Sequence, residues 1–220
     1  MTATLASVAE TTLADFTQQL ASEEPTPGGG SVAALAAAMA ASLTAMVVRL
    51  SLDRPRYAQH ARLHGDALTA SDSARARFLE LADDDAAAYL AYLEAGRMPH
   101  GSRDEELKRA AAKRDAARRA TTVPLTVVQA CHAQIDLVER LAGRTNASVA
   151  SDLDVAALLL ESAARGAASN VVVNLPAVDD VGFSDAVLAE LDQRLRQIQN
   201  ATARTRECVR KGGQRKPEPP

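Results

Sequence analysis

The chain has 220 residues, of which 47% are hydrophobic but only 3% aromatic, and its formal net charge is −3. A chain of this length can bury a substantial core as one domain. The small acidic excess argues against a nucleic-acid partner, because such proteins carry clustered basic charge. Cys131 and Cys208 have neither metal-ligand nor disulfide spacing, so we expect free thiols and a cytoplasmic location. Residues 1–10 lack the basic and apolar segments of a secretory signal.

The first predicted helix spans residues 12–20, with Leu13, Phe16 and Leu20 on one face. The stretch from Pro25 to Ser31 follows it and reads Pro-Thr-Pro-Gly-Gly-Gly-Ser. Three successive glycines predict a turn that uses positive φ or a close approach to the backbone, with Ser31 as the cap of the next helix. Such a helix start suits a carboxylate or phosphate, although a plain tight turn before a capped core helix explains the same residues.

The second predicted helix runs from Ser31 to about Leu52 and is apolar nearly all round, as is typical of a helix enclosed by others. Its many alanines permit close backbone approach, at the centre of a bundle or at a subunit interface. The run is nearly long enough to cross a bilayer, but it consists mostly of alanine and contains Ser42 and Thr44. We therefore expect a buried helix and no membrane segment.

Three further helices are predicted in the middle of the chain. Residues 57–96 form one long helix, or two in series if Gly65 interrupts it. Acidic residues at 104–106 open the next helix, whose mixed-charge part is typical of a solvated face. Pro124 either interrupts that helix or starts another, which continues to Ala142.

The last two predicted helices complete an all-α chain. Ser151 is the expected N-cap of a helix that ends near Leu175, and residues 183–211 form the final helix. The apolar stripe of the final helix consists of Leu188, Leu191, Leu195 and Ile198. The abundance of alanine and the scarcity of β-branched runs predict a single-domain helical bundle over residues 1–220, structured at about 12–210 and disordered at 212–220.

Four polar side chains are candidates for chemistry. Asp85 belongs to the run Asp83-Asp84-Asp85, in which like charges can raise a carboxyl pKa, although a solvated acidic cluster is the alternative. Asp152 follows Ser151 at a helix start, where capping alone would explain it. Asn170 and Asn174 share one face of an apolar helix, so their amides need partners across the bundle or in a ligand.

Five segments, in order, resemble the cyclodeaminase/cyclohydrolase family of folate enzymes over roughly residues 12–210. They are Pro25–Ser31, Arg56-Tyr57, Leu81–Tyr89 with Met98-Pro99, Ala120–Leu125, and the stretch from Asn146 through Ser151-Asp152 to Asn170–Leu175. The resemblance implies a homodimer acting on the one-carbon bridge of tetrahydrofolate, without metal or redox cofactor. It also implies catalytic roles for Asp85 and Asp152, and substrate binding by Pro27, Gly28, Gly29, Gly30, Ser31, Arg56, Ser151, Asn170 and Asn174.

The chain departs from the family pattern in three places. The lysine-rich segment of the family is absent around Arg56, His100 stands where the family has a lysine, and Thr145 stands where it has a glycine. Arg56 could pair with a substrate carboxylate but could not replace a lysine that donates a proton. The leading hypothesis is hydrolysis of 5,10-methenyltetrahydrofolate. The alternatives are formiminotetrahydrofolate cyclodeaminase and a non-catalytic helical module that binds folate or a protein.

Overall fold

Six α-helices form the part of the chain that the computed structural model describes, residues 7–218, and this part contains no β-strand. The prediction of an all-α chain is therefore confirmed. The helices are α1 (Leu13–Leu20), α2 (Gly29–Arg49), α3 (Ala61–Gly96), α4 (Arg103–Leu141), α5 (Ala150–Asn174) and α6 (Val181–Lys211). Short 3₁₀ helices precede α3, precede α5 and follow α5, at Pro55–His60, Ala147–Val149 and Leu175–Ala177.

Helices α2 to α5 form a four-helix bundle. α2 packs between α3 and α5, and α4 closes the bundle on the far side by packing against the same two helices. α6 lies outside the four-helix bundle and packs against α4 and α5. The core therefore lies between the helices, and the size of its side chains sets the distances between the helix axes.

Small residues let α2 approach its neighbours closely. Ala34, Ala37 and Ala40 are completely buried on α2. Where α5 crosses α2, a Cβ at Gly166 would lie 3.6 Å from the Cβ of Ala33, so Gly166 serves helix packing. The α2 sequence has the length and mean hydropathy, 2.0, of a membrane span, but 61% of that window is buried inside the bundle. Its apolar character is explained by the bundle.

One side of α2 is not covered by the other helices of the same chain. Val32, Met39, Met46 and Leu50 are between 37% and 48% exposed. They lie along one line because Val32, Met39 and Met46 are seven residues apart, close to two helical turns. We call these four residues the α2 outer face.

Helices α3 and α4 are each continuous, which resolves two alternatives left open by the sequence. Gly65 lies inside α3, and Pro124 lies inside α4. Proline has no amide hydrogen, so the carbonyl of Ala120, four residues earlier, loses its helical donor. The side-chain amide of Asn174 donates to that carbonyl at 2.7 Å. α5 thus satisfies the group that Pro124 leaves unpaired.

Two helix starts differ from their prediction. Gly28, in extended conformation, is the N-cap of α2, and Ser31 lies inside the helix. Val149 precedes α5, so Ser151 is an exposed residue of its first turn. In the second case a 3₁₀ turn starts earlier, because the Asn146 side chain accepts from the Ser148 amide at 3.1 Å.

The two terminal helices bury less of their predicted apolar faces than expected. In α1 only Phe16 is buried, whereas Leu13 is 71% exposed. In α6 Leu191 and Ile198 are buried, but Leu188 is 43% exposed. Both helices lie at the edge of the bundle, where only a narrow stripe of side chains meets a neighbour.

Residues 213–218, which the sequence predicts to be disordered, have no regular secondary structure and lie beside the end of α4. The Arg215 amide donates to the carbonyl of Gly143 at 2.9 Å, and Arg140 binds Glu218 through two nitrogens. Gly143 adopts a φ of +74°, and a Cβ there would lie 2.7 Å from the carbonyl of Gly213. The described part of the tail is therefore held by specific contacts.

Candidate functional site

The glycine turn lies directly against a carboxylate. A Cβ on Gly30 would lie 2.1 Å from Oδ1 of Asp85, on α3, which is closer than any real contact allows. Gly28 has open space around it, and a Cβ on Gly29 would make only an ordinary contact. None of the three has a positive φ. Of the two predicted reasons for glycine, positive φ is therefore wrong at these positions, whereas the close approach to the backbone is observed at Gly30.

Ser31 connects the start of α2 to the same carboxylate. Its hydroxyl is fully buried and lies 3.2 Å from Oδ2 of Asp85 and 3.0 Å from the carbonyl of Ala82. The hydroxyl can donate its hydrogen to either acceptor. Ser31 therefore positions Asp85 instead of capping the helix.

Burial raises the pKa of Asp85 above its ordinary value, while hydrogen bonds from the Ser31 side chain and backbone lower it. The three consecutive aspartates point to different partners. Asp83 accepts hydrogen bonds from Ser7 and Val8, and Asp84 lies 3.7 Å from a guanidinium nitrogen of Arg77. The predicted cause of the raised pKa, repulsion within the run, is therefore wrong. Desolvation is the cause, and a carboxyl tuned in this way suits general acid–base chemistry.

The two asparagines of α5 differ in their contacts. Asn170 lies beside the glycine turn, where its Nδ2 would be 3.8 Å from a Cβ on Gly29, and it donates to the carbonyl of Gly166 at 3.0 Å. Asn174 is engaged with Ala120 of α4. Asn170 thus joins Asp85, Gly30 and Ser31 at one end of the bundle, which we call the glycine end.

Three other predicted site residues lie at the opposite end, which we call the Asp152 end: Arg56, Ser151 and Asp152. Asp152 is eighteen residues before Asn170 on α5, about 27 Å along the helix axis. Arg56 lies beyond the C-terminus of α2, with its guanidinium carbon 5.8 Å from the Tyr57 ring centre. Its Nε and Nη2 lie 3.0 Å from the oxygen of the Gln214 amide, when that amide is oriented to accept from them. Within one chain, Asp152, Ser151 and Arg56 are therefore remote from Asp85.

A cavity of about 240 Å³ adjoins the glycine end. Thr26 and Pro27 line it from the turn, Ser31 from α2, and Asp83 from α3. Two of the predicted substrate-binding residues, Pro27 and Ser31, therefore line this space. The part played by Asp83 was missed, because its partners precede it by more than seventy residues and the sequence shows only an acidic run.

A carboxyl of raised pKa, held against a glycine-rich helix start in a helical bundle, is the kind of group that acid–base enzymes for small molecules use. The comparisons with known proteins give the family. Residues 12–193 match the model of the formiminotransferase-cyclodeaminase family, and the chain belongs to that family. The resemblance predicted from the five sequence segments is confirmed.

Three relatives show the extent of the similarity. The chain is 35% identical over 199 residues to methenyltetrahydrofolate cyclohydrolase of Methylorubrum extorquens, covering 90% of this chain and 96% of the relative. It is 32% identical to formimidoyltransferase-cyclodeaminase of Sus scrofa, covering 87% of this chain but only 35% of that protein. The crystal structure of formiminotetrahydrofolate cyclodeaminase from Thermotoga maritima superposes with a TM-score of 0.84 at 27% identity, covering 93% of this chain and 98% of that one.

Proposed function

We propose that this protein is a folate one-carbon enzyme that hydrolyses 5,10-methenyltetrahydrofolate to 10-formyltetrahydrofolate. Similarity over nearly the full length of the Methylorubrum extorquens cyclohydrolase supports this choice. The observation that carries the proposal is the Asp85 carboxylate, half-buried against Gly30 and hydrogen-bonded by Ser31.

The mechanism assigns two tasks to Asp85. Its carboxylate faces a cationic substrate, so it stabilises the charge on the methenyl group and accepts a proton from the attacking water. The resulting tetrahedral carbon carries a hydroxyl group and bonds to N5 and N10. When the bond to N5 breaks, the hydroxyl proton is lost, N5 gains a proton and the formyl group remains on N10. One proton is released overall, and Asp85 returns to its starting state.

The second candidate is formiminotetrahydrofolate cyclodeaminase. The Thermotoga maritima structure and the Sus scrofa relative support it by their names. In that reaction N10 attacks the formimino carbon, and a protonated Asp85 would donate to the departing ammonia. The raised pKa of Asp85 suits both directions of proton transfer.

One experiment separates the two reactions from a non-catalytic module. Purified protein is added to 5,10-methenyltetrahydrofolate and, separately, to 5-formiminotetrahydrofolate, while the methenyl absorbance and released ammonia are followed. We expect loss of methenyl absorbance with the first substrate. Release of ammonia from the second substrate would instead select the cyclodeaminase. Folate binding without either turnover would reject the enzyme proposal.

The proposal includes a homodimer formed through the α2 outer face. Three apolar side chains at a seven-residue spacing, with Leu50 beyond them, form a strip that a second copy of the same helix can cover. The test is Met39→Glu measured by light scattering after gel filtration. We expect a monomer, whereas Leu107→Glu, at a 61% exposed leucine of α4, should remain dimeric. A wild-type monomer would contradict the proposal.

An antiparallel pairing of α2 helices would bring the separated halves of the predicted site together. The glycine end of one protomer would then lie beside the Asp152 end of its partner. Mixing the inactive homodimers of Asp85→Asn and Asp152→Asn tests this arrangement. If each site uses Asp85 of one chain and Asp152 of the other, mixed dimers regain one intact site. No recovery after subunit exchange, or full activity of Asp152→Asn alone, would contradict a shared site.

We also propose that the enzyme works in the cytoplasm without a metal or redox cofactor. The thiols of Cys131 and Cys208 are free, as expected in a reducing compartment. The hydrolysis needs only water and proton transfers. Dialysis against a chelator should leave turnover unchanged, and a loss that added metal restores would contradict this part of the proposal.

A further inference from the structure

The cavity beside the glycine end is enclosed by the N-terminal segment, residues 7–27. Its outer wall includes Val8, Phe16 and Pro27 from that segment. Its inner wall is formed by Ala86 and Ala87 of α3, together with Ser31 and Asp83. Apart from the Asp83 carboxylate and a few hydroxyl and amide groups, these walls are apolar.

The volume of the cavity fits one ring system. A cavity of about 150 Å³ is enough for benzene, whereas whole drug-sized ligands need roughly 300–1,000 Å³. The cavity here has about 240 Å³, between these two limits. The cavity is partly open to solvent, so a ring of this size can enter it, and its lining is more apolar than that of the similar-sized cavity beside Arg62, Asp66 and Glu218.

Ser31 places this space next to the reacting group. It lines the cavity, and its hydroxyl lies 3.2 Å from Oδ2 of Asp85. The reacting carbon of the proposed substrate bridges N5 of the pteridine and N10, which carries the benzoyl ring. When this carbon lies at Asp85, the flat benzoyl ring, which is bonded directly to N10, must lie close by. The pteridine carries many polar edge groups, whereas the benzoyl ring is apolar and matches the alanine and phenylalanine walls.

Asp83 holds the outer wall in place. Its Oδ2 accepts from the Ser7 hydroxyl at 2.6 Å, and its Oδ1 accepts from the Val8 amide at 2.8 Å. In the described part of the chain, these two are the side-chain hydrogen bonds that connect residues 7–27 to the bundle. Phe16, buried to 5% exposure, adds the apolar anchor of α1. Asp83 is thus a positioning residue for the cavity.

We propose that this cavity binds the p-aminobenzoyl ring of the substrate, with Asp83 positioning the segment that covers it. The proposal rests on the folate chemistry proposed above. It adds a subsite and a positioning residue.

The first test fills the cavity. Ala87→Leu places a larger side chain in it, while Ala76→Leu makes the same change at an exposed position of α3 outside the cavity. We expect Ala87→Leu to raise KM for 5,10-methenyltetrahydrofolate at least about tenfold with little change in kcat, and Ala76→Leu to match wild type. Wild-type KM in Ala87→Leu would overturn the subsite while leaving the proposed function intact.

A binding measurement keeps the two proposals distinguishable. p-Aminobenzoylglutamate is titrated into wild type, Ala87→Leu and Ala76→Leu by calorimetry. We expect binding to wild type and Ala76→Leu, and an affinity at least about tenfold weaker in Ala87→Leu. Equal affinities in all three proteins, or no binding to wild type, would overturn the subsite, even if the enzyme turns over neither folate.

The second test releases the cover. Asp83→Ala removes both hydrogen bonds, and Asp84→Ala removes the neighbouring carboxylate, which faces Arg77. We expect Asp83→Ala to speed amide hydrogen exchange in residues 7–20 and to raise KM more than it lowers kcat, whereas Asp84→Ala should have neither effect. Equal exchange and equal KM in the two variants would overturn the role of Asp83.

Discussion

The two ends of the bundle use their polar residues differently. At the glycine end, Asp85 is half-buried, its pKa is raised by burial, and Gly30 and Ser31 define its position. At the Asp152 end, Arg56 is exposed and pairs with Gln214 of the C-terminal tail. Both ends carry predicted site residues and a cavity of similar volume, and the glycine end adds a predicted catalytic carboxyl whose pKa is raised by burial.

The polar groups at the two ends differ in their exposure to water and in their partners. Asp85 has lost water and gained one hydroxyl partner, so its protonation can respond to a substrate. Polar groups at the Asp152 end serve mostly to join loops, as when the Ser51 hydroxyl accepts from the Asn146 amide at 2.8 Å. Chemistry is therefore expected to start at the glycine end, and in the proposed dimer the Asp152 end of the partner subunit would lie beside it.

The largest expected effect is at Asp85 itself. Asp85→Asn should lower kcat by at least about a hundredfold, the lower range for loss of a general acid–base group. The charged carboxylate destabilises the native state above its raised pKa, so the variant should be at least as stable as wild type at neutral pH. Steady-state kinetics and thermal unfolding measure both. Asp84→Asn is the control, and unimpaired turnover by Asp85→Asn would remove Asp85 from the mechanism.

Gly30→Ala should give the next largest loss. The new Cβ would displace the Asp85 carboxylate, so we expect kcat to fall about tenfold or more, with a smaller change in stability because a side-chain end can move. Gly65→Ala, at a glycine of α3 outside the predicted site that meets nothing within 4 Å, is the matched control. Similar kinetics for the two alanine variants would show that the close approach at Gly30 is irrelevant to turnover.

A pH profile should reveal the contribution of Ser31. Its hydrogen bonds lower the pKa of Asp85, so Ser31→Ala should raise that pKa further. Because the deprotonated carboxylate is the base for hydrolysis, the acid limb of kcat/KM should move to higher pH. Activity should thus fall more in mildly acidic than in mildly alkaline buffer. A shift toward lower pH would contradict the assignment of Asp85 as the base.

The smallest effect on turnover is expected at Asn174, whose contribution is to stability. Asn174→Ala leaves the Ala120 carbonyl without its donor and should cost about 1–2 kcal/mol of unfolding free energy, measured in urea. In a Pro124→Ala background the restored backbone amide should reduce that cost. Asn170→Ala, whose amide only adds to a carbonyl within its own helix, is the control. An equal cost in both backgrounds would contradict the pairing.

Local signals in the sequence were sufficient for most helices but not for the site geometry. Thr12 caps α1 through the Asp15 amide, and Gly212 ends α6 with a φ of +63°, both as short-range rules predict. The continuity of α4 through Pro124 depends on Asn174, fifty-four residues away. A pattern of neighbouring residues cannot reveal such a partner.

The difference between local signals and distant partners also explains why the role of Gly30 could not be predicted from the sequence. The importance of the glycine turn was visible because three glycines before an apolar helix are unusual, but the reason for Gly30 lies on α3, in Asp85. The raised pKa of Asp85 was expected from the acidic run, yet it arises from packing against α2. The family resemblance implied roles for both aspartates, and the fold places Asp85 and Asp152 at opposite ends of the bundle.

The alanine-lined face of α2 has a consequence for laboratory evolution of this protein. Because Ala34, Ala37 and Ala40 are already nearly the smallest side chains, random mutation there can mostly enlarge them. Enlargement in a close-packed core typically costs 1–3 kcal/mol, and glycine costs about 1 kcal/mol in helix propensity. Libraries seeking greater thermostability should therefore spare this face and sample the periphery of α1 and α6, where substitutions meet few neighbours.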